Sequence, residues 1–353
     1  MTTTTGTTTT GTTTTRMAAY VGDGVVTVTD GAVRAPARGE VRLEVAYTGI
    51  CGTDLHIVHG AMDARVQRPL VFGHEASAVV AELGEGVGEL VVGQRVVVVP
   101  LVWDGTCPAC LAGHQHVCQN LTFVGIDSPG ALQESWTVPA GTVVPLPDSL
   151  SLHDAALTEP VAVAVHDVRR SGLRGGERVV VLGAGPIGVL ISTVARTAGA
   201  EVVVVELDEQ RRARAADLGF RTLDPRDDLE RLVEEWTGGA GADVVFEVSG
   251  AAAAVAVAPR LARVRGTLVV VAIHPTPREV DLQRVFWREL TLVGARVYER
   301  RDVEEAIDLL TRGIVPVDRI VSSVRPLAQT AQAVEELAAG RGLKVLIQVG
   351  RSQ

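Results

Sequence analysis

Arg178-Val179-Val180-Val181-Leu182-Gly183-Ala184-Gly185-Pro186-Ile187-Gly188 is the stretch from which the rest of the chain can be read. Continuous Val and Leu from 179 to 182 indicate a strand buried on both faces, as in parallel sheets. The glycines at 183, 185 and 188 make a turn, and Pro186 and Ile187 open a helix predicted over Ile187–Ala198. A glycine turn between strand and helix aims backbone amides at the positive helix end, where a pyrophosphate binds. Such turns also serve as plain structural junctions, so the surroundings matter. The next strand, Glu201–Glu206, ends in a carboxylate. A carboxylate there accepts hydrogen bonds from both ribose hydroxyls and repels a 2′-phosphate, which favours NAD over NADP. Arg211 and Arg212 follow on the helix Glu209–Leu218, where they either meet a phosphate or face solvent.

Downstream the alternation repeats. A strand is predicted at Val244–Val248, an Ala-rich helix at Ala251–Val264, a strand at Thr267–Ile273 and a last one at Thr291–Ala295. This is the rhythm of an α/β, doubly wound parallel sheet. Val248, Ser249, Ala272 and Ile273 fall at carboxyl ends of strands, where open sheets bind ligands, and are expected to line the cofactor. Asp302–Arg312 and Gln329–Ala339 read as helices, and Gly342–Val349 as a closing strand. Upstream, β-rich runs at Val41–Tyr47, Ala76–Ala81, Arg95–Pro100 and Ser135–Val138 are separated by Gly, Asp and Pro. Their spacing predicts a partly closed, Greek-key-like barrel. Residues 1–16, nearly all Thr, have little to bury and are expected to be a disordered tail, or an upstream start ahead of Met17.

The chain has 353 residues, enough for two domains with separate cores. A net charge of -9, with no basic stripe to offset it, argues against a nucleic-acid partner. No apolar run is long enough to span a bilayer, and the N-terminus lacks the features of a signal peptide. Cys51, Cys107, Cys110 and Cys118 in a large chain without an export signal suggest metal ligands rather than disulfides, and a cytoplasmic location.

Four residues ahead of the glycine turn have the chemistry of a catalytic zinc site, which keeps three protein ligands and one open position. Cys51 supplies a thiolate, His74 an imidazole and Glu159 a carboxylate, with Glu75 as a competing or exchanging ligand. A lone buried Cys or His is usually core; the combination argues for a metal. A Lewis acid and a nicotinamide carrier in one chain point to reversible oxidation of an alcohol to a carbonyl.

The motifs Gly49-Ile50-Cys51-Gly52-Thr53-Asp54-Leu55-His56, Gly73-His74-Glu75 and Glu159-Pro160 followed by Val-Ala-Val-Ala-Val-His resemble the zinc-dependent medium-chain dehydrogenase/reductase family. The likeness runs from Met17 to Gln353 and is nearest to the polyol, butanediol and threonine dehydrogenase branch. It implies a GroES-like β-barrel catalytic domain (residues 17–160 and 298–353) and a Rossmann domain (161–297). It further implies homodimers or homotetramers, often joined through the last strand of the nucleotide sheet. Glu159 stands where simple alcohol dehydrogenases carry a third Cys, which turns the expected substrate towards polyols, sugar alcohols or diols. A threonine-type amino-alcohol substrate and a non-catalytic NAD-binding member are the alternatives. By the same likeness Thr53 hydrogen-bonds the reacting oxygen, and His56 passes its proton to solvent unless it is a plain surface residue. Lys344, the single lysine, is implied near the pyrophosphate, or else lies on the surface. One departure is Ala78, where the family usually has Gly.

The family's structural zinc lobe uses four cysteines. Here Cys107, Cys110 and Cys118 keep their places and Asp104 takes the first. Aspartate can ligate zinc, so a site of three thiolates and one carboxylate is feasible and weaker than four thiolates. A lobe that has lost its metal is the alternative, and His114 or His116 as fourth ligand fits the spacing less well.

Overall fold

Valine-rich strands and intervening helices between Arg178 and Gly294 build a six-stranded parallel sheet. The computed structural model describes residues 14–350. The sheet runs Arg221–Leu223, Glu201–Val205, Arg178–Leu182, Ala242–Glu247, Ala262–Val270, Thr291–Gly294. Val179, Val180 and Val181 are fully buried, because helices cover both faces. The winding reverses between Arg178–Leu182 and Ala242–Glu247. That switch point opens the crevice in which such sheets bind ligands.

The Ala-rich helix is shorter than its sequence suggests. It spans Ala252–Leu261, and Ala262 already pairs with Ala242 in the sheet. Alanine's helix propensity extended the expectation, whereas sheet pairing takes over after Pro259. The same strand ends at Val270, so Ala272 and Ile273 lie in the following loop.

The other half is antiparallel around Glu40–Gly49, which pairs with Glu75–Leu83, Ser135–Pro139 and the last strand, Lys344–Gln348. That last strand carries the C-terminal segment back onto the N-terminal half and sets Lys344 beside Ile50. The Ala78 methyl is fully buried between Val45 and Val96, so this departure from glycine is accommodated. The first strand, Thr14–Gly22, starts inside the expected tail. Thr15 is buried, and its hydroxyl accepts the Ser135 amide at 2.9 Å. Thr14, Thr15 and Arg16 therefore belong to the fold, whereas the expectation for residues 1–13 lies outside the described residues.

The long helix Thr158–Ser171, missed in the sequence, joins the halves and packs on Pro186–Thr197. Pro160 sits in its first turn, where no helical amide partner is lost, and Gly172 ends it at φ 70°.

Candidate active site

Cys51 precedes the short helix Gly52–Val58, and its amide donates to Asp54 Oδ2 at 2.8 Å. Asp54 is fully buried, with Oδ1 3.6 Å from His74 Nδ1. At that distance the two atoms make no hydrogen bond and neither has another partner, so Asp54 acts on His74 through its charge. Ligand atoms of Cys51, His74 and Glu75 all lie within 4.8 Å of one another. Burial disfavours charge on His74, yet Asp54 and then Cys51 outweigh it and hold the imidazole pKa well above its ordinary value. The cluster is a buried excess of negative charge that favours a cation.

Glu159, in the first turn of Thr158–Ser171, is near enough to feel the charges of His74 and Glu75 but is not among the residues whose ligand atoms lie within 4.8 Å of one another. Burial, opposed by His74 and reinforced by Glu75, pushes its carboxyl up to about 7. Tyr298 turns a buried hydroxyl towards Glu159 without closing a direct hydrogen bond. One thiol, one imidazole and a carboxylate fit zinc with an open position. Thr53 and His56 share one face of the short helix, Thr53 half-buried and His56 exposed.

Lys344 requires a correction. It is not free to meet a pyrophosphate. Its Nζ donates to both Glu75 oxygens at 2.7 Å and to the Ile50 carbonyl at 3.2 Å, which uses all three donors. A Cβ on Gly49 would overlap the Glu75 carboxylate, so glycine leaves that side chain its place.

At the nucleotide turn Gly183 has φ 118° and packs against Ser249, and a Cβ on Gly188 would overlap the Gly183 carbonyl. Gly185 caps the helix, with Pro186 and Ile187 in its first turn. Glu206, one residue past the strand Glu201–Val205 that was expected to include it, accepts the Ala184 amide at 2.7 Å and the Asp208 amide at 2.9 Å. Arg212 is tied to the Glu206 and Leu207 carbonyls and to Asp224, so it is not available to a phosphate. Arg211, half-buried one position earlier, makes no ion pair among the described residues. Glu247 gathers the Ser249 and Gly250 amides and the Ser249 hydroxyl, and lies 3.1 Å from His274. This holds Val248-Ser249 and the loop of Ala272-Ile273 at one end of the sheet.

Two family models match the chain: "Alcohol dehydrogenase GroES-like domain" over residues 37–148 and "Zinc-binding dehydrogenase" over 186–312. The chain belongs to the zinc-dependent medium-chain dehydrogenases. It is 50% identical over 338 residues to a 2-dehydro-3-deoxy-L-galactonate 5-dehydrogenase of Pseudoalteromonas atlantica, covering 95% of this chain and 99% of that one. It is 36% identical over 318 residues to "Probable D-xylulose reductase A" of Aspergillus clavatus, covering 87% and 89%. The crystal structure of 2R,3R-butanediol dehydrogenase from Bacillus subtilis superposes with a TM-score of 0.88 at 29% identity, covering 95% and 100%. The chain is thus an oxidoreductase of the zinc-type alcohol and sugar dehydrogenases, which use a nicotinamide cofactor.

This dehydrogenase has a second cluster. Ligand atoms of Asp104, Cys107, Cys110 and Cys118 also lie within 4.8 Å of one another. Asp104 accepts the Thr106 and Cys107 amides at 2.8 and 3.0 Å and the Asn120 side-chain amide at 2.5 Å, which hold its carboxyl well below the usual range. Amides of Gln119 and Cys110 lower the Cys107 thiol, while burial and the neighbouring thiols push Cys110 up to about 12. Three thiols and a carboxylate cannot all ionise at this range without a cation. His114 and His116 lie outside the group; His116 stacks edge-on against His166 instead, at 5.1 Å.

Three supporting residues escaped the sequence reading. Asp54 was quoted within its motif but not given a role, although its place three residues after Cys51 is a capping position. Asn120 and Tyr298 carried no local signal; both act across loops joined only in the fold.

Proposed function

We propose that this dehydrogenase transfers hydride between NAD and a secondary alcohol on a polyhydroxylated chain, of the polyol or sugar-acid class. The observation that carries the reading is the convergence of Cys51, His74 and Glu75, with Glu159 alongside, on one buried point. Cys51, His74 and Glu159 would hold zinc there, with Glu75 able to exchange, and Asp104, Cys107, Cys110 and Cys118 would hold a second. Zinc supplies Lewis acidity that lowers the pKa of an alcohol hydroxyl towards neutrality. The rest falls to the chain's own residues. Asp54 sets its negative charge behind the His74 ring, Thr53 hydrogen-bonds the reacting oxygen, and exposed His56 hands its proton to solvent. Amides of the glycine turn receive a pyrophosphate, and Glu206 receives the adenosine ribose.

NAD is favoured because a carboxylate at Glu206, beside the glycine turn, would repel a 2′-phosphate, and because Arg212 is engaged elsewhere. The sugar-acid and pentitol classes are favoured by the two relatives named above. A homo-oligomer is supported by the unpaired edge strand Thr291–Gly294 and by the exposed Phe286, Trp287 and Leu292 around it. Light scattering at the mass of one chain would contradict it. The division into residues 17–160 with 298–353, and 161–297, is part of this reading, supported by the pairing of Lys344–Gln348 with Glu40–Gly49 and by the six-stranded parallel sheet between Arg178 and Gly294.

The test is a nicotinamide-reduction screen of the zinc-loaded protein against polyols, diols, inositols, amino alcohols and 2-dehydro-3-deoxy-L-galactonate. Turnover of the sugar acid or of polyols with NAD is the expected result. Turnover of threonine alone, or none at all, would overturn it.

A further inference from the structure

Val297 stands at φ 49°, a left-handed backbone angle that a β-branched residue adopts only under strain. The strain falls one residue before Tyr298, whose side chain is 1% exposed. On its other side Tyr298 leads into the helix Arg300–Thr311, and that end is clamped. The Glu299 amide donates to Asp302 Oδ2 at 2.8 Å. Asp302, itself fully buried, accepts from Arg169 Nε at 2.7 Å and lies 2.9 Å from His166 Nδ1. His166 and Arg169 belong to the helix Thr158–Ser171, whose first turn carries Glu159. Glu159 precedes His166 by about two turns and so shares its face of the helix. The clamp sets Tyr298 against the helix that carries Glu159.

The Tyr298 hydroxyl is buried and closes no hydrogen bond among the described residues. A buried donor left in that state is costly. Burial, then the charges of Glu159, Glu75 and Cys51, hold the phenol well above its ordinary pKa, which puts the hydroxyl beside three of the four candidate metal ligands. The ring also lines a cleft of about 590 Å³ beside Arg300, from which the buried hydroxyl is turned away.

We propose that Tyr298 is a positioning residue for Glu159: its hydroxyl donates to one carboxylate oxygen and leaves the other to a metal ion. This rests on the reading of Glu159 as a zinc ligand given above. A phenol is a donor towards a carboxylate at neutral pH, and closing this bond satisfies the buried hydroxyl as well. A carboxylate tied at one oxygen presents the other in a fixed direction, as outer partners do for metal ligands. Glu75 is already held at both oxygens by Lys344. Lys344 and Tyr298 thus divide the two carboxylates, one held back and one presented.

The test measures zinc binding to full-length metal-free protein by competition with a chromophoric chelator. Wild type, Tyr298→Phe, Glu159→Ala and the double variant are compared. Cys51→Ser identifies the binding step that belongs to this site, because that step should be missing from it. Tyr298→Phe should weaken the step about tenfold. Glu159→Ala should weaken it at least as much, and the double variant should be no weaker than Glu159→Ala alone, because Tyr298 acts through Glu159. A disturbed fold would instead add the same loss in both backgrounds. Zinc affinity unmoved by Tyr298→Phe overturns the proposal, and so does a Tyr298→Phe loss that persists in full on top of Glu159→Ala; in both cases the ligand reading survives. Wild-type zinc affinity in Glu159→Ala overturns the ligand reading and the proposal with it.

Discussion

Lys344 Nζ stands 2.7 Å from each carboxylate oxygen of Glu75, and both side chains are buried. The last described strand thereby braces the residue next to His74. Removing one partner leaves the other as an uncompensated buried charge, which costs about 3–5 kcal/mol. Lys344→Met should lose stability on that scale in urea unfolding. Lys344→Met with Glu75→Gln should regain much of it, because a neutral pair needs no counter-ion. A single variant as stable as wild type would show that the ion pair does not hold this corner.

Glu159 binds its proton up to about 7 instead of its ordinary 4.5. Between those values the folded chain holds more protons than the unfolded chain at this site. Its contribution therefore makes the metal-free protein less stable as pH rises from about 4.5 to about 7, and level above that. Glu159→Gln should remove that part of the slope in a series of melting curves. Zinc needs the carboxylate, so between about 4.5 and about 7 its affinity should climb more steeply with pH for wild type than for Glu159→Gln. Identical pH dependence in wild type and Glu159→Gln would contradict this.

Asp104 completes the second cluster in place of a thiolate. Metal analysis of the purified protein should give close to two zinc per chain, and Asp104→Ala should lower this towards one while the Cys51 site stays loaded. Asp104→Cys should hold zinc longer against a chelator. A value near one, unmoved by Asp104→Ala, would mean that the lobe holds no metal.

Glu206 should set the choice of cofactor. Glu206→Ala removes a charged hydrogen-bond acceptor, worth about 1.5–3 kcal/mol, so NADH affinity should fall about tenfold or more. NADPH affinity should rise as the repulsion disappears. Fluorescence titration with the two dinucleotides reads both changes. Unchanged affinity for both would place the ribose elsewhere.

The nucleotide half was legible because its signals are local. The strand Arg178–Leu182 and the turn ending at Gly188 announce themselves by residue type; element ends moved, as where Ala262 left its expected helix for the sheet, and the short strand Arg221–Leu223 and the helices Leu229–Thr237 and Leu282–Trp287 went unread. Cys51, His74 and Glu159 were legible as a combination, since thiol, imidazole and carboxylate rarely coincide by chance. Lys344 was misread for the opposite reason. Its partner Glu75 lies at the far end of the chain and only strand pairing brings the two together. Tyr298 and the cleft beside Arg300 were invisible for the same reason, as their neighbours come from the cysteine lobe and from the helix Thr158–Ser171.

Metal removal speaks most plainly to the claim that alcohol oxidation depends on zinc held at Cys51, His74 and Glu159. Turnover of 2-dehydro-3-deoxy-L-galactonate or a polyol should be measured before chelation, after it and after zinc is restored, with NADH binding followed in parallel. The expected result is loss of activity by about a hundredfold or more, recovery with zinc, and NADH binding largely retained throughout. Cys51→Ser and His74→Ala should reproduce the chelated state. Full activity in metal-free protein would contradict the account.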